Sequence, residues 1–316
     1  MKGKWLYLIG AFIILGMVAL SGCGKKESPL QASSETATIL SVLSTSGYTK
    51  GDAFGGTNDG TSSPLGITWG YSGWTRPGWD TLPPVRFARH ITRNLRTVKV
   101  DSLNADKTKA WLTVTHDLSG NFYVNSDPGN PYHIYIRPID DDKWVRHVYL
   151  EKNEARVWRV VKISPVDVQT VNSPYPITIV SLEASAVPSG VHYVFTRPDT
   201  LLAKNELPTF QPGDSVTVKV TVSVQGDSSW AFLHRWARPF PWKHIREPFF
   251  KTSTNTFERT WKIAEDSVST TPAIRHTAVD LIGMKALFGD EREQYNAHAW
   301  GFLYLVKANP NEPDPD

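Results

Sequence analysis

Three sets of residues in the 316-residue chain are of types that do chemistry. The stretch Gly70-Tyr71-Ser72-Gly73-Trp74 places a serine two positions after a glycine, as a nucleophile elbow does. Trp74 stands where the second glycine belongs, and no strand–turn–helix pattern surrounds it. The nine histidines, His90, His116, His133, His147, His192, His234, His244, His276 and His298, are dispersed and form no ligand cluster. Asp140-Asp141-Asp142 offers oxygens to a hard cation but lacks the spaced Asp/Asn/Gly ladder of a calcium loop. Three acids in a hairpin read as solvated. These residues predict no catalytic centre, no metal site and no cofactor.

Two aromatic concentrations are the stronger candidates for binding. In "WGYSGWTRPGWD", Trp69, Tyr71, Trp74 and Trp79 lie in a Gly/Pro-rich loop beside Arg76 and Asp80. Flat rings flanked by polar groups suit sugar stacking, and indole adds a donor at its edge. The simpler reading is that the rings plug one end of a core, since an irregular loop needs such packing to stay in place. The second concentration is "WAFLHRWARPFPWKHIREPFFK", which contains Trp236 and Trp242. Between Trp230 and Lys262, seven Lys/Arg stand against two Glu, a local charge of +5, among nine aromatic residues. Alternation puts Trp230, Phe232, His234 and Trp236 on one strand face. The insertion "RPFPWKHIREPFF" is too apolar for an idle turn. It could fold back on the preceding domain, grip an anionic membrane or glycan, or dock a protein.

The elements that must position these residues begin with a leader. Lys2 and Lys4 precede an apolar run from Trp5 to Leu20, and Ser21-Gly22-Cys23 supplies small residues at its end. This is the layout of a secretory signal peptide; its length leaves an uncleaved anchor as the rival reading. Leu20-Ser21-Gly22-Cys23 resembles the bacterial lipobox. The resemblance implies that Cys23, the only cysteine, becomes the lipidated first residue of the mature chain, with residues 1–22 removed. Lipidation would hold the protein at the membrane, facing the periplasm or exterior. Gly24 rather than Asp after the cysteine points to the outer membrane if the organism has two. The mature chain would then have no other cysteine for a disulfide or a metal.

Without Lys2 and Lys4 the charge falls from +3 to +1, 32 basic against 31 acidic residues. That balance gives no global reason to seek nucleic acid. Twelve Trp, 11 Tyr and 13 Phe, with many Val, Thr and Ile and 22 each of Gly and Pro, favour sheet over helix. The chain reads as mainly β in two domains after a tether at 23–35. The first, 36–168, is α+β: a short helix in "SETATILSVLSTSGYT", a long loop over Lys50–Gly66, a helical start at "PPVRFARHI", then antiparallel strands. Trp111, Thr113 and Thr115 alternate against Leu112, Val114 and His116, and Ser119-Gly120 interrupts that strand. "YHIYIRPI", "KWVRHVYLEK" and "ARVWRVVKISPV" follow as separate strands. A helix against a curved antiparallel sheet loosely resembles the cystatin and nuclear-transport-factor folds.

"VNSPYP" (Val171–Pro176) reads as a boundary. Seven strand candidates follow over 176–308: "ITIVSLEAS", "VHYVFT", "SVTVKVTVSV", "SWAFLHRW", "FERTWKIA", "RHTAVDLI" and "HAWGFLYLV". Seven strands with turns between them resemble an immunoglobulin-like β-sandwich, without its cysteine pair. Residues 309–316 read as a disordered or merely solvated tail. The function expected is non-catalytic binding or scaffolding at the cell envelope, with an envelope protein or glycan as partner. The alternatives are a glycan or small-ligand binder using the Trp69–Trp79 loop and, after that, an enzyme acting on wall polymers.

Overall fold

The computed structural model describes residues 34–49, 82–127, 129–130, 132–237, 243–263, 272–309 and 311–315. The leader, Cys23, the tether up to Ser33 and the Lys50–Gly66 loop lie outside the described residues, as do Trp69, Tyr71, Trp74, Trp79 and Trp242; Ser34 and Glu35, expected in the tether, begin the first helix. Among the described residues no helix is long and apolar enough to cross a membrane.

The protein is mainly β. Helix α1 (Ser34–Thr45) is followed by β1 (Arg86–Leu103), β2 (Lys109–Asn125), β3 (Tyr135–Lys152), β4 (Trp158–Ile163) and β5 (Val166–Gln169). Next come β6 (Ile177–Val187), β7 (His192–Phe195), β8 (Leu202–Ala203), β9 (Thr209–Phe210), β10 (Ser215–Val224) and β11 (Ser229–Ala237). The chain continues with β12 (Lys243–Pro248), β13 (Phe250–Ser253), β14 (Thr256–Lys262), β15 (Ala273–Gly283), the single turn α2 (Met284–Phe288) and β16 (Ala297–Val306). All seven segments expected to be strands after Pro176 are strands, and α1 covers most of the expected short helix.

The strands form two sheets. The larger runs β1-β2-β3-β5-β16-β15-β11-β12, with β4, β8 and β9 branching from it; the smaller runs β13-β14-β10-β6-β7. The Val171–Pro176 segment lies between β5 and β6. The larger sheet takes strands from both sides of it, because β5 pairs with β16. Central β16, "AHAWGFLYLV", is buried along its whole length, as its near-continuous apolar run requires. Trp300, Phe302, Tyr304 and Val306 enter the core shared with the smaller sheet. Ala299, Leu303 and Leu305 enter a second core beneath α1, with Ile39, Leu43, Leu112, Trp144 and Trp158. Glu35, in the first turn of α1, accepts hydrogen bonds from Lys152 Nζ at 2.8 Å and Trp158 Nε1 at 2.9 Å, which seats the helix.

Several local expectations are corrected. The segment from Pro83 is strand, not helix: Phe87, Ala88 and Arg89 are consecutive buried residues, and burial on both faces of a strand imitates helical spacing. Ser119-Gly120 does not end β2 but marks a bulge, with register shifts at Ile91/Arg93 and Leu118/Gly120. A Cβ on Gly120 would lie 2.1 Å from the His90 carbonyl oxygen, so only glycine permits this approach. "YHIYIRPI" and "KWVRHVYLEK" merge into β3 through Asp141, which adopts φ 56° opposite that bulge. Bulges bend and twist strands, and the larger sheet curls until its end strands meet. Arg246 Nη1 of β12 donates to the Phe87 carbonyl of β1 at 2.5 Å. The tail is tied back rather than merely solvated. Lys307 Nζ donates to Glu312 O and Asp314 Oδ1, and the Tyr48 hydroxyl donates to Pro315 O.

Candidate functional site

The curled sheet carries ionisable side chains inside it. Arg89, from the buried start of β1, is 2 % exposed. It meets Asp280 of β15 through Nη2–Oδ1 at 2.8 Å and Nη1–Oδ2 at 2.7 Å, while its Nε donates to the Tyr295 hydroxyl at 2.7 Å. His234 Nε2 of β11 lies 3.1 Å from Asp280 Oδ2. Alternation carries His234 inward beside Phe232, since Phe232 pairs with Asp280 across the strands. Asp142 of β3 is 4 % exposed, which corrects the reading of that acid as solvated, whereas Asp140 and Asp141 are exposed as expected.

The two carboxyl groups differ in what compensates their burial. Desolvation pushes Asp142 up to about 7, and Arg89 and a hydrogen bond from Thr170 offset only part of that. Its Oδ1 has no hydrogen-bond partner among the described residues. Burial would raise Asp280 too, but the Arg89 guanidinium and His234 overrule it and hold the carboxyl well below the usual range. Tyr295 is pushed far up by burial. Pairs of carboxyl groups with divergent acidities are arrangements that enzymes use. Here Asp280 is engaged by internal partners, and the group works as an ionic brace across β1, β11 and β15.

A second polar arrangement faces solvent. The loop before β6, the turn before β11, α2 and the loop before β16 surround a cleft of about 200 Å³. Arg137, 1 % exposed, does not line the cleft but holds the segment between α2 and β16 that forms one wall. Its Nε donates to Ala286 O at 2.8 Å, Nη1 to Asp290 O at 2.8 Å and Glu293 O at 2.5 Å, and Nη2 to Gly289 O at 2.9 Å. Asn296 Nδ2 donates to Tyr175 O at 2.6 Å and fixes the opposite loop. Lys285 Nζ lies 3.5 Å from the centroid of the Tyr175 ring. The Tyr175 hydroxyl, with Glu293 and Asp227 nearby, raises the lysine above its ordinary pKa. Gly226 adopts φ +72°, and a Cβ there would come within 2.8 Å of the Tyr175 ring.

A third feature is an apolar recess of about 40 Å³ between the sheets, lined by Phe195, Phe210, Trp261, Phe302 and Tyr304 among others. Of the aromatic residues singled out in the sequence, Trp236 is placed in β11 opposite His244 of β12. The Trp69–Trp79 loop and Trp242 lie outside the described residues. Parts of the basic, aromatic insertion pack inward: Phe249 is buried and its carbonyl accepts the Trp230 Nε1–H at 2.9 Å. Among the described residues no group of three or more His, Cys, Asp or Glu is placed to hold a metal. Sequence reasoning missed Arg89, Arg137 and Asp280, and misjudged the setting of Asp142. The signal was a lone charge inside an apolar strand, as in "TAVDLI" for Asp280 and "YIRPI" for Arg137.

No protein-family model matches the chain, and no curated protein is similar to it in sequence.

Proposed function

We propose that this chain is a lipid-anchored envelope protein with a non-catalytic binding or scaffolding role, held at the membrane through lipidated Cys23. Helix α1 with the β1–β5 part of the larger sheet serves as the α+β part next to the tether, and the β16-β15-β11-β12 part with the smaller sheet serves as an immunoglobulin-like sandwich, the two sharing one continuous sheet. One contrast carries the binding reading. The strongly perturbed ionic groups are braced inside the sheet, whereas the polar groups that reach solvent together do so in loops on a rigid frame. Loops positioned by packed sheets are a common means of recognition.

Anchoring is tested by metabolic labelling with palmitate, followed by membrane fractionation of wild type and Cys23→Ala. Wild type should be labelled and membrane-bound, and the variant unlabelled and released. A labelled variant, or an unlabelled wild type, would overturn the lipoprotein reading. Binding is tested by titrating cell-wall and surface glycan fragments against the protein while following tryptophan fluorescence, with Trp74→Ala as control. A saturable shift lost in the variant would locate a glycan site in the Trp69–Trp79 loop. If neither glycans, small ligands nor envelope proteins associate with the chain, the binding role fails.

A further inference from the structure

From the cleft between Tyr175 and Arg292, we infer a binding site for a small zwitterion, an amino acid or short peptide whose ammonium and carboxylate are both free. The inference rests on the binding reading above and specifies a ligand for one site.

Charge is the first argument. Lys285 and Arg292 place two cations on the cleft, and Asp227 and Glu293 place two carboxylates there. The lining sums to zero while carrying both signs. A dianion such as phosphate would meet two carboxylates as well as two cations, and a neutral apolar ligand would desolvate all four groups without repayment. A zwitterion satisfies both signs at once.

The second argument is which groups are still available. Asp227 is occupied with the frame, accepting from the Ser228 N–H at 2.7 Å and the Lys285 N–H at 3.2 Å. The Lys285 ammonium rests on Tyr175. Among the described residues, no hydrogen bond or ion pair engages the Arg292 guanidinium or the Glu293 carboxylate. These adjacent side chains, one of each sign, are the recognition pair: Arg292 for the ligand carboxylate, through its planar fork, and Glu293 for the ammonium.

The third argument concerns shape. Lys285 already occupies one face of the Tyr175 ring, and the Gly226 backbone lies close beside it, which narrows the ring as a stacking surface for a sugar. At about 200 Å³ the cleft is smaller than the roughly 300–1,000 Å³ typical of drug-sized ligands. The walls are set before any ligand arrives, because Arg137 holds Ala286, Gly289, Asp290 and Glu293 by their carbonyls and Asn296 holds Tyr175. Preorganisation of this kind lowers the ordering cost of binding.

The test is isothermal titration of the full chain in detergent micelles with alanine, alanyl-alanine, its N-acetylated form, its C-amidated form and inorganic phosphate. Alanine or alanyl-alanine should bind at a single site, which decides between the free amino acid and the peptide. Either cap should weaken binding at least tenfold, and phosphate should not compete. Arg292→Gln should lose at least tenfold for the free ligand yet leave the C-amidated form unchanged. Glu293→Gln should do the same with respect to the N-acetylated form. Both side chains lie at the surface of the loop, and unchanged thermal unfolding would confirm that the variants fold. Silence from both zwitterions, competition by phosphate, or equal affinities in wild type and Arg292→Gln would each overturn the inference. A glycan or protein partner found with both zwitterions silent would sink this site while leaving the broader binding role standing.

Discussion

The imidazole Nδ1 of His298, on β16, accepts the backbone N–H of Ile179, on β6, at 2.7 Å. Strand β7 pairs only with Leu182–Ser185 of β6, so it stops short of Ile179, and a side chain from the other sheet satisfies that N–H instead. The same ring contacts Asp167 Oδ1 of β5 through Nε2 at 2.8 Å, and Trp300 Nε1 donates to that oxygen at 3.1 Å. With Nδ1 accepting, Nε2 carries the hydrogen that points at Asp167. One residue thereby couples the two sheets across their shared core.

Replacing His298 with Phe keeps a ring but leaves the Ile179 N–H buried and unpaired, at a cost of about 1–3 kcal/mol. Chemical denaturation should show that loss, and hydrogen exchange should show faster exchange at the Ile179 amide. Unchanged protection at Ile179 would mean that the side-chain acceptor is dispensable.

Arg89 and Asp280 should behave as a unit. Arg89→Met strands a buried carboxylate and Asp280→Leu a buried guanidinium, each costing on the order of 3–5 kcal/mol. The double variant should lose less than the sum, because neither charge is then left alone. Additive losses in denaturant midpoints would argue against the brace.

Asp142 makes the opposite contribution to pH dependence from two half-buried histidines, His116 and His276. Its folded pKa, about 7, stands above the unfolded 3.8, so the folded state binds the extra proton. That contribution is present below about pH 4 and is lost as pH rises towards 7. Burial depresses His116 to about 4 and His276 to about 3. Their contributions are present above pH 6.5 and are lost as pH falls through the folded values. Between about pH 4 and 6.5 the two effects oppose each other. Asp142→Asn should therefore raise stability at pH 8 and steepen the loss of stability on acidification, measured as unfolding free energy against pH. An unchanged profile would place Asp142 in a more solvated setting.

Arg137→Met should loosen one wall of the polar cleft. Four backbone carbonyls lose their donor at once, so amide exchange from Ala286 to Glu293 should accelerate several-fold while that in β6 and β10 stays slow. Uniform acceleration throughout the protein would point instead to global destabilisation.

Much of the fold was legible because burial and alternation coincide. In β10, Val216, Val218, Val220 and Val222 face the shared core and the residues between them face outward, so the strand announces itself. The turn before it was equally plain: Gly213 takes φ 89° in "FQPGD". Legibility failed where both faces of a strand are covered, as at Phe87–Arg89, and where a bulge lets a strand run through turn-like residues, as at Gly120. It failed more completely for the ionic brace, since Arg89 and Asp280 are 191 residues apart and each is ordinary in its own segment. The cleft is assembled from two loops, a turn and α2, all of unexceptional composition and far apart in the sequence, and Arg137 helps to hold them in one place.

The position of β16 bears on how the chain is made. It lies near the middle of the larger sheet, between β5 and β15, yet among the described strands it comes last in the sequence. Until it arrives, the faces that Leu303 and Tyr304 will fill stay open, and β5, translated some 130 residues earlier, lacks its neighbour. The larger sheet therefore closes only once β16 has been made. A chain with this strand order holds its largest sheet open, with two unfilled cores, until one late strand inserts and closes both at once.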